Sequence, residues 1–475
     1  MRGEGEVLLI SCYELGHQPF AVASALGFLE RAGFRPAALD LAAERLDLAA
    51  VSRARLVAIS VPMHTALRLG VRALAAVRAA NPGAHVCLYG LYATLNAEHL
   101  LGHGADSVLG GEVEQRLVEL AQALERGETP APSREPVLER LSFGVPSRAA
   151  LPPLARYAPL DRGDGRLDVA GYTEASRGCR HACRHCPIPP VYGGRFFAVP
   201  RDVVLEDIRR QVAAGARHIT FGDPDFFNGP THGMRLARAL HAEFPDVTFD
   251  ATIKVEHLLR HRRLLPELVE TGCAFVVTAV ESLNDTVLAS LAKGHTRADV
   301  LEVLALARAA GLVLRPTLVP FTPWETLESY RELFEVVDGE GLVEHIDPVH
   351  YTLRLLVPPG SLLLGSDAMR PHLGDLDEAA FTYRWRHPDP RMDALQREAA
   401  ALVEEAARTG EPHASTFERL RDLASCRAGG VPAPQRMVPA SGAPAGEDAA
   451  PRRKVPAAGA PAGRRPPRLA EAWFC

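Results

Sequence analysis

The chain has 475 residues, of which 47% are hydrophobic and 23% are charged, enough to bury a sizeable core in two or three domains. Its formal net charge of −5 gives no electrostatic basis for binding nucleic acid or an anionic membrane. No apolar run reaches the roughly 18 residues of a membrane span, and eight cysteines are too few for a disulfide framework at this length. We therefore expect a cytoplasmic protein without nucleic-acid or membrane partners.

Short apolar runs alternate with helical patterns through residues 1–125. The runs of strand length are residues 7–10, 56–61 and 86–89, and the helical patterns are 20–32, 66–80 and 112–124. Strands that alternate with helices predict parallel β-α-β units, so we expect a doubly wound, flavodoxin-like α/β sheet domain. Such sheets bind ligands beyond the carboxyl ends of their strands.

The pattern changes three times after this domain. Residues 126–170 are rich in proline, arginine and glycine, which is typical of a linker. The alternation returns over 171–375 and predicts a full or partial β/α barrel, within which Thr322-Pro-Trp-Glu325 has the pattern of a capping box that starts a helix. A helical extension is expected over 376–426, and a disordered tail rich in proline, alanine and arginine over 427–475.

Three cysteines, Cys179, Cys183 and Cys186, lie close together among arginine and histidine residues. A buried helical stripe is disfavoured because a glycine precedes them and prolines follow. A zinc site would need a fourth ligand, for which His181 and His185 are the local candidates. An iron–sulfur cluster with three protein thiolates would leave one iron open, and the basic residues would help to keep the thiols deprotonated. The spacing alone favours the cluster and leaves zinc open.

The stretch from Tyr172 through Cys186, at the start of the predicted β/α barrel, resembles the radical S-adenosylmethionine (SAM) superfamily. The resemblance implies that the three cysteines hold a [4Fe-4S] cluster and that the amino and carboxylate groups of SAM chelate its fourth iron. One electron would then cleave SAM and release a 5′-deoxyadenosyl radical that abstracts hydrogen from a substrate. An electron donor such as flavodoxin or ferredoxin is implied as a partner.

The resemblance also implies a set of SAM contacts at the ends of the barrel strands. These are His185, Gly222, Asp223, Asp225, Lys254, Glu281, Ser282 and Arg354. Asp223 and Asp225 could instead cap a turn or a helix, and Lys254 and Arg354 could be structural ion-pair partners. Lys293 lies in a stretch that recurs in the family, and we interpret it as part of a surface loop.

The doubly wound domain ahead of the barrel is similar to the cobalamin-binding architecture of class B radical SAM enzymes. The cobalamin contacts that this implies are Gly16, Ser60, Gly90, Gly110, Gly111 and Glu112. The D-x-H-x-x-G motif, whose histidine ligates cobalt in methyltransferase-type domains, is absent, and His17 does not fit its spacing. The alternative is a domain that retains the sheet for packing alone.

The implied function is radical chemistry on a small-molecule or peptide substrate that the sequence does not identify. Cobalamin-dependent methylation or a related C–H modification is the leading hypothesis. Two alternatives stay open: a radical rearrangement or cyclisation without methyl transfer, and a zinc-stabilised binding protein without catalytic activity.

The last residues of the sequence, Leu469-Ala-Glu-Ala-Trp-Phe-Cys475, combine two aromatic rings with a thiol. Over its whole length the chain most resembles the radical SAM proteins with a CUAEP or CCAEP tail. That resemblance implies that Cys475 is a redox element and that the natural protein is a selenoprotein continuing past a UGA codon. The alternative is a true terminus with an incidental cysteine, and the codon after Cys475 distinguishes the two.

Overall fold

The structure, a computed structural model, describes residues 1–128, 135–429 and 465–469. Cys475 and most of the predicted tail therefore lie outside the described residues. Among the residues described, no helix is both long and apolar enough to cross a membrane.

The first sheet contains five parallel strands with helices on both faces. Its strands are β1 (Val7–Ser11), β2 (Ala37–Asp40), β3 (Leu56–Ser60), β4 (His85–Tyr89) and β5 (Ser107–Leu109). The accompanying helices are α1 (Phe20–Arg31), α2 (Leu48–Arg53), α3 (His64–Ala80), α4 (Leu91–Leu95), α5 (Ala97–Gly102) and α6 (Glu114–Glu125). The strand order β2-β1-β3-β4-β5 is that of a flavodoxin-like doubly wound sheet, as predicted.

Burial explains why these strands are continuous apolar runs. Strands β1, β3 and β4 are buried at every position, because one face packs against α3 and the other against α1 and α6. The register aligns Ser11 with Ser60, and Ser60 with Tyr89. These three polar side chains therefore meet at the carboxyl edge of the sheet.

The predicted linker contains ordered segments. Val137 forms a parallel bridge with Gly111, and a 3-10 helix spans Leu154–Arg156. The short strands β6 (Leu160–Asp161) and β7 (Leu167–Asp168) pair antiparallel. This segment therefore docks on both sheets instead of crossing between them as free chain.

The second sheet also has five parallel strands, in a partial β/α barrel. The five strands of this sheet are β8 (Ala170–Thr173), β11 (His218–Phe221), β12 (Thr248–Thr252), β13 (Cys273–Glu281) and β14 (Leu314–Leu318). Two further strands, β9 (Ser176–Gly178) and β10 (Phe196–Ala198), lie between β8 and β11 in the chain. The helices are α7 (Ile188–Tyr192), α8 (Arg201–Ala213), α9 (Pro230–Glu243), α10 (Val255–Arg260), α11 (Leu265–Glu270), α12 (Asp285–Ser290), α13 (Arg297–Ala310) and α14 (Leu327–Gly339). The order β14-β13-β12-β11-β8 confirms the predicted partial barrel, and β9 and β10 form a separate antiparallel pair.

Helix α14 begins later than the sequence pattern predicted. Its N-cap is Thr326, whose side chain accepts a hydrogen bond from the backbone amide of Ser329 and completes a capping box with it. The predicted cap at Thr322 is therefore wrong. The turn over residues 322–325 instead brings Glu325 within 2.8 Å of the Ser282 hydroxyl, which donates a hydrogen bond to it.

The C-terminal region adds a hairpin and two helices to the barrel. The elements are β15 (Leu373–Asp377), β16 (Thr382–Trp385), α15 (Pro390–Thr409), α16 (His413–Arg427) and β17 (Arg468–Leu469). The two helices break at Gly410, as predicted, and Phe417 of α16 packs on Phe334 and Tyr351. Strand β17 pairs antiparallel with β6, and Leu160 of β6 packs on the barrel near the start of β13 and β14.

Candidate functional site

The three cysteines occupy one loop that follows the carboxyl end of the barrel strand β8. Gly178 introduces this loop with a φ of 74°, a backbone conformation that favours glycine. Cys179 and Cys183 are buried, and Cys186 is half-buried. We call residues 179–186 the cysteine loop. The structure therefore brings all three predicted cluster ligands to the mouth of the barrel, where β/α barrels carry their active sites.

A single zinc ion would need a fourth ligand beside the three thiols. The two candidate histidines face carboxylates instead. The two ring nitrogens of His181 lie 3.6 Å from Asp225 and 3.5 Å from Glu256, and Nε2 of His185 lies 3.3 Å from Glu281. Among the described residues, this arrangement fits a cluster with three protein ligands.

A buried cation lies beside the cysteine loop. Lys293 is 2% exposed, and its Nζ is 3.1 Å from Oε1 of Glu281. Burial alone would lower the pKa of Lys293, but Glu281 and Cys183 raise it. Burial raises the pKa of the Cys186 thiol to about 12, an effect that Lys293 opposes. The interpretation of Lys293 as a surface residue was wrong, since it supplies positive charge that thiolates need.

Glu281 joins Lys293 and His185 at the end of β13. It lies at an irregularity in the pairing with β14 and has a φ of 68°, which is strained for a residue with a side chain. Burial would raise the pKa of Glu281, but Lys293 and His185 hold it well below its usual range. The structure thus keeps a charged carboxylate at this predicted SAM contact, and its neighbour Ser282 is bonded to Glu325.

The acidic motif after β11 is tied to the chain that leads into the cysteine loop. Asp223 accepts hydrogen bonds from the backbone amide of Ala175, at 2.9 Å, and from the Ser176 hydroxyl. Burial raises the pKa of Asp223 to about 7. Tyr172 packs so closely on Gly222 that a Cβ there would lie 1.7 Å from its hydroxyl oxygen. The predicted residues Gly222 and Asp223 therefore lie next to the loop.

Asp225 has two sets of contacts. Its Oδ1 accepts a hydrogen bond from the amide of Phe227 at 3.0 Å and caps the 3-10 helix Phe226–Asn228, as the capping interpretation predicted. Its Oδ2 faces His181 and His257. Burial would raise the pKa of Asp225, but the two imidazoles lower it.

The two predicted cations lie in different environments. Lys254 is buried, with Nζ 3.8 Å from Oε2 of Glu256, which itself faces His181 of the cysteine loop. The guanidinium of Arg354 donates to Asp393 at 2.6 Å and lies 3.5 Å from the centre of the Trp385 ring. The structure therefore brings Lys254 to the candidate site and gives Arg354 the geometry of a structural ion pair.

The predicted cobalamin contacts lie at the carboxyl edge of the first sheet but do not form an open cradle there. They are Gly16, Ser60, Gly90, Gly110, Gly111 and Glu112. A Cβ at Gly110 would lie 1.8 Å from Oγ1 of Thr94, and one at Gly111 would lie 2.1 Å from the carbonyl oxygen of Val137. Ser60 is buried as well. Gly110, Gly111 and Ser60 pack against the chain's own atoms, so these three positions do not by themselves fit a corrin.

Glu112 belongs to a buried charge cluster that joins the two sheets. Arg177 lies 3.4 Å from Glu112, 2.7 Å from Glu114 and 2.9 Å from Glu174, and the Tyr192 hydroxyl donates to Glu112 at 3.0 Å. One guanidinium next to the cysteine loop is therefore shared by three carboxylates. Sequence reasoning missed this cluster, and its only signal was an arginine among acidic motifs distant in the chain.

A cavity of about 220 Å³ lies inside the barrel. The charged or imidazole side chains that line it from the barrel are Asp250, Arg315, His345, Asp347 and His350. His17 of the first domain and Arg468 of β17 also line it, and the His17 ring lies 4.6 Å from the Tyr172 ring. Burial lowers the pKa of His17 to about 4. His17, which does not fit the cobalt-ligand motif, therefore contributes to the barrel interior.

Comparison with known proteins now identifies this region, because residues 173–334 match the Radical SAM superfamily. These residues form a radical SAM domain. The chain that carries it is 26% identical over 262 residues to hopanoid C-3 methylase of Methylococcus capsulatus, a match that covers 52% of this chain and 48% of the methylase. The chain thus spans about half the length of this curated relative.

Two solved structures resemble this fold over most of the chain. The cobalamin-dependent SAM radical enzyme OxsB, with aqua-cobalamin and SAM bound, superposes with a TM-score of 0.68 at 12% identity, covering 88% of this chain and 71% of OxsB. The radical SAM methyltransferase TsrM of Kitasatospora setae, with cobalamin and a [4Fe-4S] cluster bound, gives 0.56 at 20% identity over 70% of this chain and 73% of TsrM. These likenesses confirm the predicted fold.

Proposed function

We propose that this protein is a radical SAM enzyme that modifies a C–H bond of a small-molecule or peptide substrate, with cobalamin-dependent methylation as the leading reaction. The observation that supports this most is the cysteine loop, which brings three free thiols together beside the charged Lys293. The radical SAM domain match over the same residues adds independent support.

Cys179, Cys183 and Cys186 would hold the cluster. When bound there, a [4Fe-4S] cluster leaves one iron open to the amino and carboxylate groups of SAM and supplies the electron that cleaves SAM to methionine and a 5′-deoxyadenosyl radical. Lys293 offsets part of the negative charge of the thiolates, and the burial of Cys179 and Cys183 limits the access of water to those two sulfurs.

The surrounding side chains match the functional groups of SAM. Asp223 and Asp225 offer buried carboxyl groups to its amino group, and Glu281 offers an ionised carboxylate to its ribose hydroxyls. His185 offers an aromatic ring to the adenine. We propose these roles together with a supporting role for Lys254, and we assign Arg354 to the ion pair with Asp393 instead.

The barrel cavity is the proposed substrate chamber. It carries carboxylates, including Asp250 and Asp347, and the guanidinium of Arg315, which lies 2.9 Å from Asp347. A cavity with both signs of charge suits a polar small molecule or a peptide segment that has an amine and a carboxylate. Tyr172 and Gly222, which lie next to the cysteine loop, also line the cavity.

Cobalamin is proposed as the second cofactor because of the fold shared with OxsB and TsrM, and not because of the predicted contacts at the sheet edge. The single electron requires a donor protein, such as a flavodoxin or a ferredoxin. The seven cysteines that the structure describes are all free, which supports the expected cytoplasmic location.

Anaerobically reconstituted protein tests the proposal. With SAM and dithionite, the wild type should form 5′-deoxyadenosine, while Cys183→Ala should lose iron and the product together. Cys87→Ala is the matched control because Cys87 is also buried but lies in β4 of the first sheet. Full iron content and product formation in Cys183→Ala would refute the cluster assignment.

The products also distinguish methyl transfer from rearrangement. Methyl transfer from SAM leaves S-adenosylhomocysteine, whereas reductive cleavage leaves methionine and 5′-deoxyadenosine. We expect S-adenosylhomocysteine to form only in protein loaded with cobalamin, with corrin bands in its absorption spectrum. If the protein shows no corrin bands after loading and forms 5′-deoxyadenosine alone, the result would favour a radical rearrangement without methyl transfer.

A further inference from the structure

We infer that His181, Asp225 and His257 form a second metal site, for one divalent first-row transition metal ion, beside the cysteine loop. His181 lies within the loop, Asp225 follows β11, and His257 is on α10. Three separate elements of the radical SAM domain thus each bring one side chain to the same point.

The distances are those of ligands around one ion. One donor atom from each residue lies within 4.8 Å of the other two. Oδ2 of Asp225 is 2.8 Å from Nδ1 of His257 and 3.6 Å from Nε2 of His181. Two ligands bound to one ion at about 2.1 Å are separated by roughly 3.0 to 3.4 Å, depending on the geometry. The observed pair of distances brackets that range.

The three donor atoms are also buried without an aligned hydrogen bond. Nε2 of His181, Oδ2 of Asp225 and Nδ1 of His257 are each inaccessible to solvent and make no hydrogen bond of normal geometry. Buried polar atoms in native proteins almost always have a partner. Two imidazoles and one carboxylate are a common donor set for first-row divalent metals, and three protein ligands leave open positions. A bound ion would satisfy all three atoms at once.

The outer contacts of these residues fit the same interpretation. Nδ1 of His181 lies 3.5 Å from Oε2 of Glu256, and metal-bound histidines commonly donate their second ring nitrogen to a carboxylate. Oδ1 of Asp225 accepts from the amide of Phe227, which orients the carboxylate. Lys254, 3.8 Å from the same oxygen of Glu256, balances the charge of that glutamate.

The site shares no ligand with the proposed cluster, and Asp225 is its one residue in common with the proposed SAM contacts, so the two metal occupancies are measured separately in protein without SAM. Anaerobically reconstituted protein is incubated with Zn²⁺, desalted, and analysed for iron and zinc. We expect one zinc per chain in the wild type in addition to the cluster iron. A variant in which Cys179, Cys183 and Cys186 are all alanine should lose the iron and keep the zinc.

Two variants remove ligands from the second site. His257→Gln and Asp225→Asn should each lose the zinc and keep the iron, and Asn at 225 retains the acceptor that caps the 3-10 helix. His261→Gln is the matched control, since His261 lies on the next turn after His257, with ring centres 5.8 Å apart, outside the triad. Co²⁺ in place of Zn²⁺ should give ligand-field absorption bands in the wild type and the control alone.

Two results would overturn the site. Wild-type protein that retains no zinc above the desalting buffer would show that the three residues form only a hydrogen-bonded ion pair. Equal zinc in the wild type and in both ligand variants would place the metal elsewhere. Neither result bears on the cluster, whose presence is reported by the iron content.

Discussion

The two parallel sheets of this molecule share one architecture, but the polar groups at their carboxyl edges differ. Both place their polar side chains at the carboxyl ends of the strands. At the first sheet the charged side chains are already paired, because Arg177 of the barrel region is shared by Glu112, Glu114 and Glu174. The uncharged oxygens of Ser11, Ser60 and Tyr89 at the same edge have no hydrogen-bond partner. At the barrel, three free thiols lie near the donor atoms of His181, Asp225 and His257. Those donor atoms are in ion-pair contact with one another but form no hydrogen bond of normal geometry.

The difference separates a structural edge from a reactive one. Buried polar groups that satisfy one another fix how two regions pack, whereas buried groups without partners are costly unless something binds them. Fold likeness alone would assign a ligand to both edges. The side chains support that assignment strongly at the barrel and weakly at the first sheet, and the following predictions test this contrast in order of expected effect.

Removal of the cation beside the cysteine loop should have the largest effect on activity. Lys293→Met leaves the buried Glu281 and the thiolates without their positive partner, so we expect 5′-deoxyadenosine formation to fall roughly a hundredfold, which corresponds to ~2.7 kcal/mol. Lys293→Arg, which keeps the charge, should restore most of the rate. A Met variant with wild-type product formation would show that this charge does not serve the reactive edge.

Removal of the shared guanidinium should destabilise the structural edge. Arg177→Met leaves three buried carboxylates without their cation, and breaking a buried pair in this way costs roughly 3–5 kcal/mol. Urea unfolding of the reconstituted protein measures the change in the free energy of unfolding. Arg180→Met is the control, because Arg180 is exposed and lies over the Phe196 ring. Equal stability of the two variants would contradict a structural role.

Glu14 makes the stability of the first sheet depend on pH. Burial raises its pKa from 4.5 to about 8, so the folded chain holds a proton that the unfolded chain releases. The contribution of Glu14 to the free energy of unfolding is fully present below pH 4.5. It is lost as the pH rises to about 8. Gln cannot ionise, so the melting temperature of Glu14→Gln should exceed that of the wild type increasingly from pH 5 to pH 8, by an equivalent of on the order of 3 kcal/mol.

The control for this titration is Glu4→Gln, since Glu4 is exposed near the same sheet. Its melting temperature should follow that of the wild type at every pH. A constant difference between Glu14→Gln and the wild type would mean that Glu14 is ionised in the folded protein across this range.

The smallest effect is expected at Arg354. Arg354→Ala removes the ion pair with Asp393 and the contact with Trp385, which should cost about 1 kcal/mol of stability. The KM for SAM in 5′-deoxyadenosine formation should not change, and Asp393→Asn should give a similar loss of stability. A large rise in the KM for SAM would show that Arg354 contacts SAM, contrary to its assignment as a structural ion-pair partner.

Local patterns in the sequence were sufficient for the elements and for the cysteine loop. Periodicity identified both parallel sheets and the helix break at Gly410, and the spacing of the cysteines identified the loop. The start of α14 was misplaced because residues 322–325 and 326–329 both carry capping patterns. The contact of Glu325 with Ser282, which lies far away in sequence, decides between them.

Pairings between distant residues could not be predicted. The sequence does not show that Lys293 points inward, because that depends on how the chain after α12 packs against Glu281. The contact of Arg177 with Glu112 could not be predicted for the same reason. Nor could the contact of His181 with His257, whose ring centres lie 4.7 Å apart. Each contact joins two elements that are distant in the sequence, and local sequence patterns do not predict how such elements pack.

The pairing of β17 with β6 has a consequence for the order of synthesis. Arg468 and Leu469 line the barrel cavity from a strand that leaves the ribosome after the whole barrel. Until then Leu160 and its neighbours have only β7 as a strand partner, and the chamber lacks one wall. A nascent or truncated chain that stops at residue 429 should therefore have a chamber more open to solvent than the complete protein, which quenching of a dye bound in the cavity would measure.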